Sequence, residues 1–130
     1  MRTYCIPNSL LFFSRYSWYL RALGTKKAER NKILADINSG LLSRDTLDTD
    51  WQRSLEKEID SLRAKMKEIE YVVESLPETP QLFPCKLFLR LYFIVGLSMT
   101  EAAAEMNVSM STLRRIRDRA ARHFDDFPPT

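Results

Sequence analysis

One pattern constrains this chain more than any other. Leu55, Ile59, Leu62, Met66, Ile69, Val73 and Leu76 follow one another in alternating steps of four and three. That spacing is the heptad seam of a helix packed lengthwise on another helix. Charged Glu56, Glu58, Arg63, Lys65 and Glu70 flank it. Upstream, Thr49 with Gln52 three residues later reads as a capping box: the hydroxyl meets the third amide and the glutamine reaches back to the cap. A single stripe cannot bury itself. Either the helix folds back on residues 9 to 38 as an antiparallel hairpin, or it meets its own copy as a homodimer through residues 49 to 76.

The chain N-terminal to the seam is aromatic and basic. Its first 24 residues read MRTYCIPNSLLFFSRYSWYLRALG. Arg2 ahead of Leu10, Leu11, Phe12 and Phe13 faintly resembles an export signal. Arg15 and Arg21 interrupt the apolar run, which is far shorter than the roughly 20 residues of a membrane span. Core packing is the expected role of Phe12, Phe13, Tyr16, Trp18 and Tyr19, ahead of a base-stacking platform, which would sit among more basic residues. Ser9 is the expected N-cap of a helix that runs to Leu23. Gly24 then offers a stop and Thr25 a restart, although one long helix is the alternative. Leu20, Leu23, Leu34, Ile37 and Leu41 fit spacings of three and four if Lys27 and Arg30 share their stripe and snorkel. Ser39 and Gly40 end the segment, and residues 41 to 48 form a polar connection. Pro77, Pro80 and Pro84 then stop the seam helix, since proline lacks an amide and disfavours helix before it.

The last third of the chain carries the charge asymmetry. The whole chain is only +3, over 130 residues. Between 114 and 122, however, stand Arg114, Arg115, Arg117, Arg119 and Arg122 against Asp118 alone. Gly96 ends a helix that begins near Pro84. Ser98 with Glu101 gives a second capping box. Ala102, Ala103 and Ala104 let two helices approach closely. Asn107 tolerates the left-handed backbone of a tight turn. Ser109 caps the final helix. On that helix Leu113, Ile116, Ala120 and Phe124 share one face, and Ser111, Arg115, Asp118 and Arg122 lie opposite, with Arg114 beside them. Two helices across a short turn, the second basic, is the pattern of a reader for the DNA major groove.

In such a reader the early residues reach base edges and the others hold phosphates. The expected base-contacting residues are Ser111, Arg114, Arg115 and Asp118. Asp118 either accepts from a cytosine amine or pairs with Arg114 one turn back, and the pairing is favoured. The expected phosphate contacts are Ser109, Thr112, Arg119 and Arg122, helped by the helix N-terminus. Arg117 lies nearer the core edge as a snorkelling residue. His123, near the end of the helix, fits an interaction with the helix terminus better than catalysis.

The run from Tyr92 to Ala120, YFIVGLSMTEAAAEMNVSMSTLRRIRDRA, resembles the region-4-type helix-turn-helix of sigma factors. Shared are the aromatic, Gly-Leu-Ser, Glu-x-Ala, and Val-Ser-x-Ser-Thr followed by an aliphatic residue and arginine. Glu101 matches the acidic position opening the first motif helix, Ala103 the small position within it, and Val108 and Ser109 the exit of the turn. Ser111, Thr112, Arg114 and Arg115 match the DNA-facing start of the reader helix. The chain departs from the usual pattern at Ala102, Asn107 and the Tyr92–Phe93 pair. Its layout is similar to phage and prophage transcription regulators of the ArpU/RinA type. The resemblance implies a transcription regulator that binds double-stranded DNA, and thiols left free point to a cytoplasmic location.

These observations define an all-α expectation: an N-terminal helical hairpin or coiled-coil segment followed by a C-terminal helix-turn-helix bundle. Residues 1 to 76 form the helical interaction region, 77 to 83 a linker, and 84 to 125 the DNA-binding domain. The alternative function is a helical adaptor that docks RNA polymerase or another regulator without reading DNA. A phage packaging subunit fits less well, because its DNA motif ordinarily comes first. Nothing points to an enzyme: no phosphate-cradling glycine loop and no metal cluster stand out, so no catalytic residue, cofactor or metal is expected. Cys5 and Cys85 lack ligand spacing and read as free thiols.

Overall fold

The computed structural model describes residues 6–40 and 49–129, with side chains of the second stretch from Trp51 onward. All regular structure among the described residues is helical, as expected. A short 3-10 turn, Asn8–Leu10, leads into α1, Leu11–Asn38. Helix α2 spans Thr49–Glu74, and α3, Phe83–Leu89, passes directly into a π-helical turn, Arg90–Val95. Helices α4, Met99–Met106, and α5, Met110–Asp126, complete the chain. The expected polar connection, Leu41 and Cys5 lie outside the described residues, as does the side chain of Thr49 and hence its capping box.

Helix α1 does not stop at Gly24; it runs through it for 28 residues. A glycine inside a helix costs about 1 kcal/mol relative to alanine, which a long packed helix tolerates. Nor is Ser9 a cap. It lies within the 3-10 turn, whose preceding residue, Pro7, makes no capping bond.

By contacts the chain forms two compact units, Met1–Ser17 with Glu68–Thr130, and Trp18–Lys67. The expected linker at 77–83 therefore falls inside the first unit. In the unit of residues 18–67, α1 and α2 run antiparallel. Lys26 Nζ lies 2.8 Å from Glu58 Oε2, Arg30 Nη1 donates to Glu56 Oε1 at 3.2 Å, and Lys65 sits 5.6 Å from the centre of the Tyr19 ring. Partner numbers fall along α2 as they rise along α1, which fixes the hairpin. Leu55 and Ile59 are buried, as are Met66 and Leu23.

The α1 side of the seam differs from the expected stripe. Leu20 is 50% exposed and Leu34 is 37% exposed. Leu23, Lys27, Arg30 and Ile37 of that stripe are covered as expected, while Tyr19, Lys26 and Ile33 are covered where Leu20 and Leu34 are not. Tyr19, Leu23, Lys26, Arg30, Ile33 and Ile37 also follow heptad steps of four and three. Lys26 and Arg30 lay their stems over the seam and reach out to the acidic flank of α2. These pairs are open to water and salt, so they set register more than they add stability.

The other unit has an aromatic core. Phe13 is fully buried, with ring centroids 4.9 Å from Phe124 and 5.8 Å from Phe93. Phe88 packs 5.5 Å from Tyr92 and 6.2 Å from Phe93. Of the aromatic residues expected in a core, Phe13 and Tyr16 are buried, Phe12 and Tyr19 are half-buried, and Trp18 is 67% exposed. Ile69, Val73 and Leu76 are buried within this unit. Tyr16 donates to Glu70 Oε1 at 2.7 Å.

The proline segment is short but tied down. The amides of Leu82 and Phe83 bond Thr79 O at 3.1 and 2.8 Å, and Pro84 occupies the first turn of α3. Buried Lys86 lies 3.2 Å from Glu78 and 3.7 Å from Glu74, while Arg90 donates twice to Glu74 at 2.7 and 3.1 Å. A buried ammonium is tolerated only when paired in this way.

Candidate nucleic-acid interface

The site is built by three successive helix ends. The π-helical turn closes at Gly96, whose φ of 88° is left-handed. The amides of Gly96 and Leu97 both donate to Leu91 O, at 3.1 and 3.0 Å. Glycine takes this conformation without the Cβ clash of other residues.

Helix α4 then opens with the complete capping box read from the sequence. Glu101 N donates to Ser98 Oγ at 3.1 Å, and Ser98 N donates to Glu101 Oε1 at 3.0 Å. The Ser98 amide, and then its hydroxyl, hold the Glu101 carboxyl below its ordinary range. Ala102 and Ala103 are buried where α4 meets α5.

The turn is tight. Asn107, Val108 and Ser109 alone separate the two helices. Asn107 adopts φ 56° and ψ 47°, the left-handed conformation expected of it. Its amide bonds Ala104 O at 3.1 Å, and that of Val108 bonds Ala103 O at 3.0 Å. Ser109 caps α5 by accepting from Thr112 N at 3.1 Å. Its hydroxyl also meets Thr112 Oγ1 at 3.0 Å and Ser111 Oγ at 3.1 Å, so three hydroxyls gather at the start of α5.

The two faces of α5 separate as the spacing predicts. Leu113 and Ala120 are fully buried, and Ile116 and Phe124 nearly so. Ser111, Arg114, Arg115, Asp118 and Arg122 are all exposed on the opposite side. Arg117 sits at the core edge beside Ile6, Pro7, Leu10, Phe88, Tyr92 and Phe93, in the snorkelling position assigned to it. Thr112 is half-buried. His123 packs edge-on to Phe124, with centroids 5.0 Å apart, and lies 5.2 Å from Phe127.

Two residues behave differently from expectation. Asp118 pairs with Arg117, whose Nε donates to its Oδ1 at 3.0 Å, and not with Arg114. An arginine placed N-terminal to its acid at this spacing is the weaker order, because it opposes the helix dipole. Arg117 reaches round from the core edge instead. Arg119, an expected phosphate contact, donates through Nη1 to Gln81 O at 3.2 Å and so commits part of its guanidinium to the proline segment. No sequence signal could announce this, because Gln81 lies 38 residues away. The same contact region holds Cys85, whose thiol meets Ile116 O at 3.5 Å and is pushed up by burial.

The outward face of α5 therefore offers three guanidinium groups, two hydroxyls at its start and one carboxylate. It can bind anions and donate to base acceptors. Among the described residues no group of three or more His, Cys, Asp or Glu side chains could hold a metal ion, and no helix is long and apolar enough to cross a membrane. Comparison of the chain with protein-family models, with curated proteins and with solved structures gives no match.

Proposed function

We propose that this chain is a sequence-specific regulator of transcription that binds double-stranded DNA and reads the major groove with α5. One observation carries the reading. Arg114, Arg115 and Arg122 project from one exposed face of a helix whose other face is buried, immediately behind a three-residue turn and a second short helix. In this reading Ser111, Arg114 and Arg115 face base edges, where arginine makes paired bonds to guanine. Ser109, Thr112, Arg122 and the remaining donors of Arg119 hold phosphates. The link to transcription rests on the resemblance of residues 92 to 120 to the sigma region-4 motif.

Electrophoretic mobility of DNA at several salt concentrations tests it. Two phosphates neutralised by Arg119 and Arg122 predict a log–log slope of about −2. Binding that is insensitive to salt, or equal in an Arg114→Ala/Arg115→Ala variant, would remove α5 as the reader. Failure of the intact chain to bind any DNA, together with binding to an acidic protein, would instead favour the adaptor that docks RNA polymerase.

A further inference from the structure

We propose that Asp118 is the specificity filter of the α5 face: it accepts a hydrogen bond from an exocyclic base amine and repels the protein from DNA that offers none at that position. The inference rests on the reading of α5 as a DNA-binding helix. Between Ser111 and Arg122 it is the single acid on the outward face.

Its placement is specific. Arg117 Nε holds Oδ1 at 3.0 Å, with the side chain of Arg117 17% exposed and that of Asp118 56% exposed. The carboxylate is thus held from the core side while standing out into solvent. The hydrogen bond from Arg117 goes to Oδ1. Because the tether is Arg117, Arg114 is not drawn into an ion pair with Asp118, and acid and readers stand side by side.

The groove supplies the selection. Its base edges present acceptors at guanine N7 and O6, adenine N7 and thymine O4, and amine donors only at cytosine N4 and adenine N6. A carboxylate set against acceptors and phosphates loses water and gains nothing. Set against an amine, it regains a charge-assisted bond. Ser111 and Asp118 lie seven residues apart, roughly 10 Å along the helix axis at 1.5 Å per residue. In groove-bound helices a separation of seven residues reaches bases about two steps apart. Asp118 therefore addresses a pair about two positions from the one beside Ser111.

The test uses the full chain, a DNA enriched from a random pool by the wild-type protein, and a mixed-sequence duplex. Circular dichroism melting checks that Asp118→Ala and Asp118→Asn remain folded. Asp118→Ala is expected to tighten binding to the mixed duplex several-fold and to steepen the log–log salt slope by about one. The ratio of selected to mixed affinity should fall at least about fivefold. A second selection with the variant should lose its preference at one position only. Asp118→Asn should tighten mixed binding too, while keeping part of that preference. An unchanged ratio, or an equal loss of affinity for both duplexes, overturns the filter and leaves Asp118 a structural partner of Arg117. A wild-type chain that binds neither duplex overturns the DNA reading itself, and this inference with it.

Discussion

Helices α2 and α5 are both amphipathic, and both bury one stripe, with Leu62 of α2 only half-buried. Their outward faces differ. That of α2 mixes signs, with Arg53, Lys57, Asp60, Arg63, Lys67 and Glu68 exposed together. That of α5 between 111 and 122 is arginine with one acid. A mixed face is satisfied by water and its own neighbours, and it has no preferred ligand. A face of one sign repels itself and is relieved by a partner of opposite charge. Burial alone does not distinguish the two helices; the sign pattern of the exposed side does.

The largest expected effect would break or establish this contrast. Arg114→Ala with Arg115→Ala should lower DNA affinity by about 100-fold or more, at about 1–3 kcal/mol for each reading arginine. Lys57→Ala with Lys67→Ala on α2 should change it no more than a few-fold. Titration by fluorescence anisotropy at fixed salt measures both. Equal losses would show that net charge, and not the α5 face, binds DNA.

The buried stripes should behave alike. Leu113→Ala in α5 and Ile59→Ala in α2, both at fully buried positions, should each destabilise by about 2–5 kcal/mol in urea melts. A much smaller loss for Ile59 would mean that the hairpin seam is looser than the core around α5.

A smaller effect concerns how α2 is held. Tyr16 is pushed from 10.0 up to about 12, first by burial and then by its hydrogen bond to Glu70. The folded chain therefore keeps a proton that the unfolded chain releases. This contribution is complete below pH 10 and is lost as pH rises towards 12. Stability against urea should decline over that interval, and Tyr16→Phe should flatten the decline while costing about 1 kcal/mol at neutral pH. An unchanged pH profile in the variant would exclude Tyr16 as the titrating group.

The smallest change tests the helix that runs on where a stop was expected. A Cβ at Gly24 would meet nothing within 4 Å, and its φ is not positive. Gly24→Ala should raise stability by about 0.5–1 kcal/mol. A loss instead would mean that α1 bends there.

Several features were legible before any coordinates. The α2 seam, the Ser98–Glu101 box, the left-handed Asn107, the Ser109 cap and both faces of α5 depend on residues within a few positions of one another. Helical periodicity and local capping chemistry are enough to place them. The sequence alone could not choose the partner of the seam, because a heptad stripe fits an intramolecular or an intermolecular helix equally well. In this structure α1 covers the seam, in a register set by Lys26 and Arg30 against Glu58 and Glu56. Tertiary structure also turned Asp118 towards Arg117 and Arg119 towards Gln81. Those choices belong to long side chains with several reachable partners, and only packing at the core edge and the position of the proline segment decide among them. The sequence determined which residues α5 shows to the outside, and the fold decided which of them remain uncommitted there.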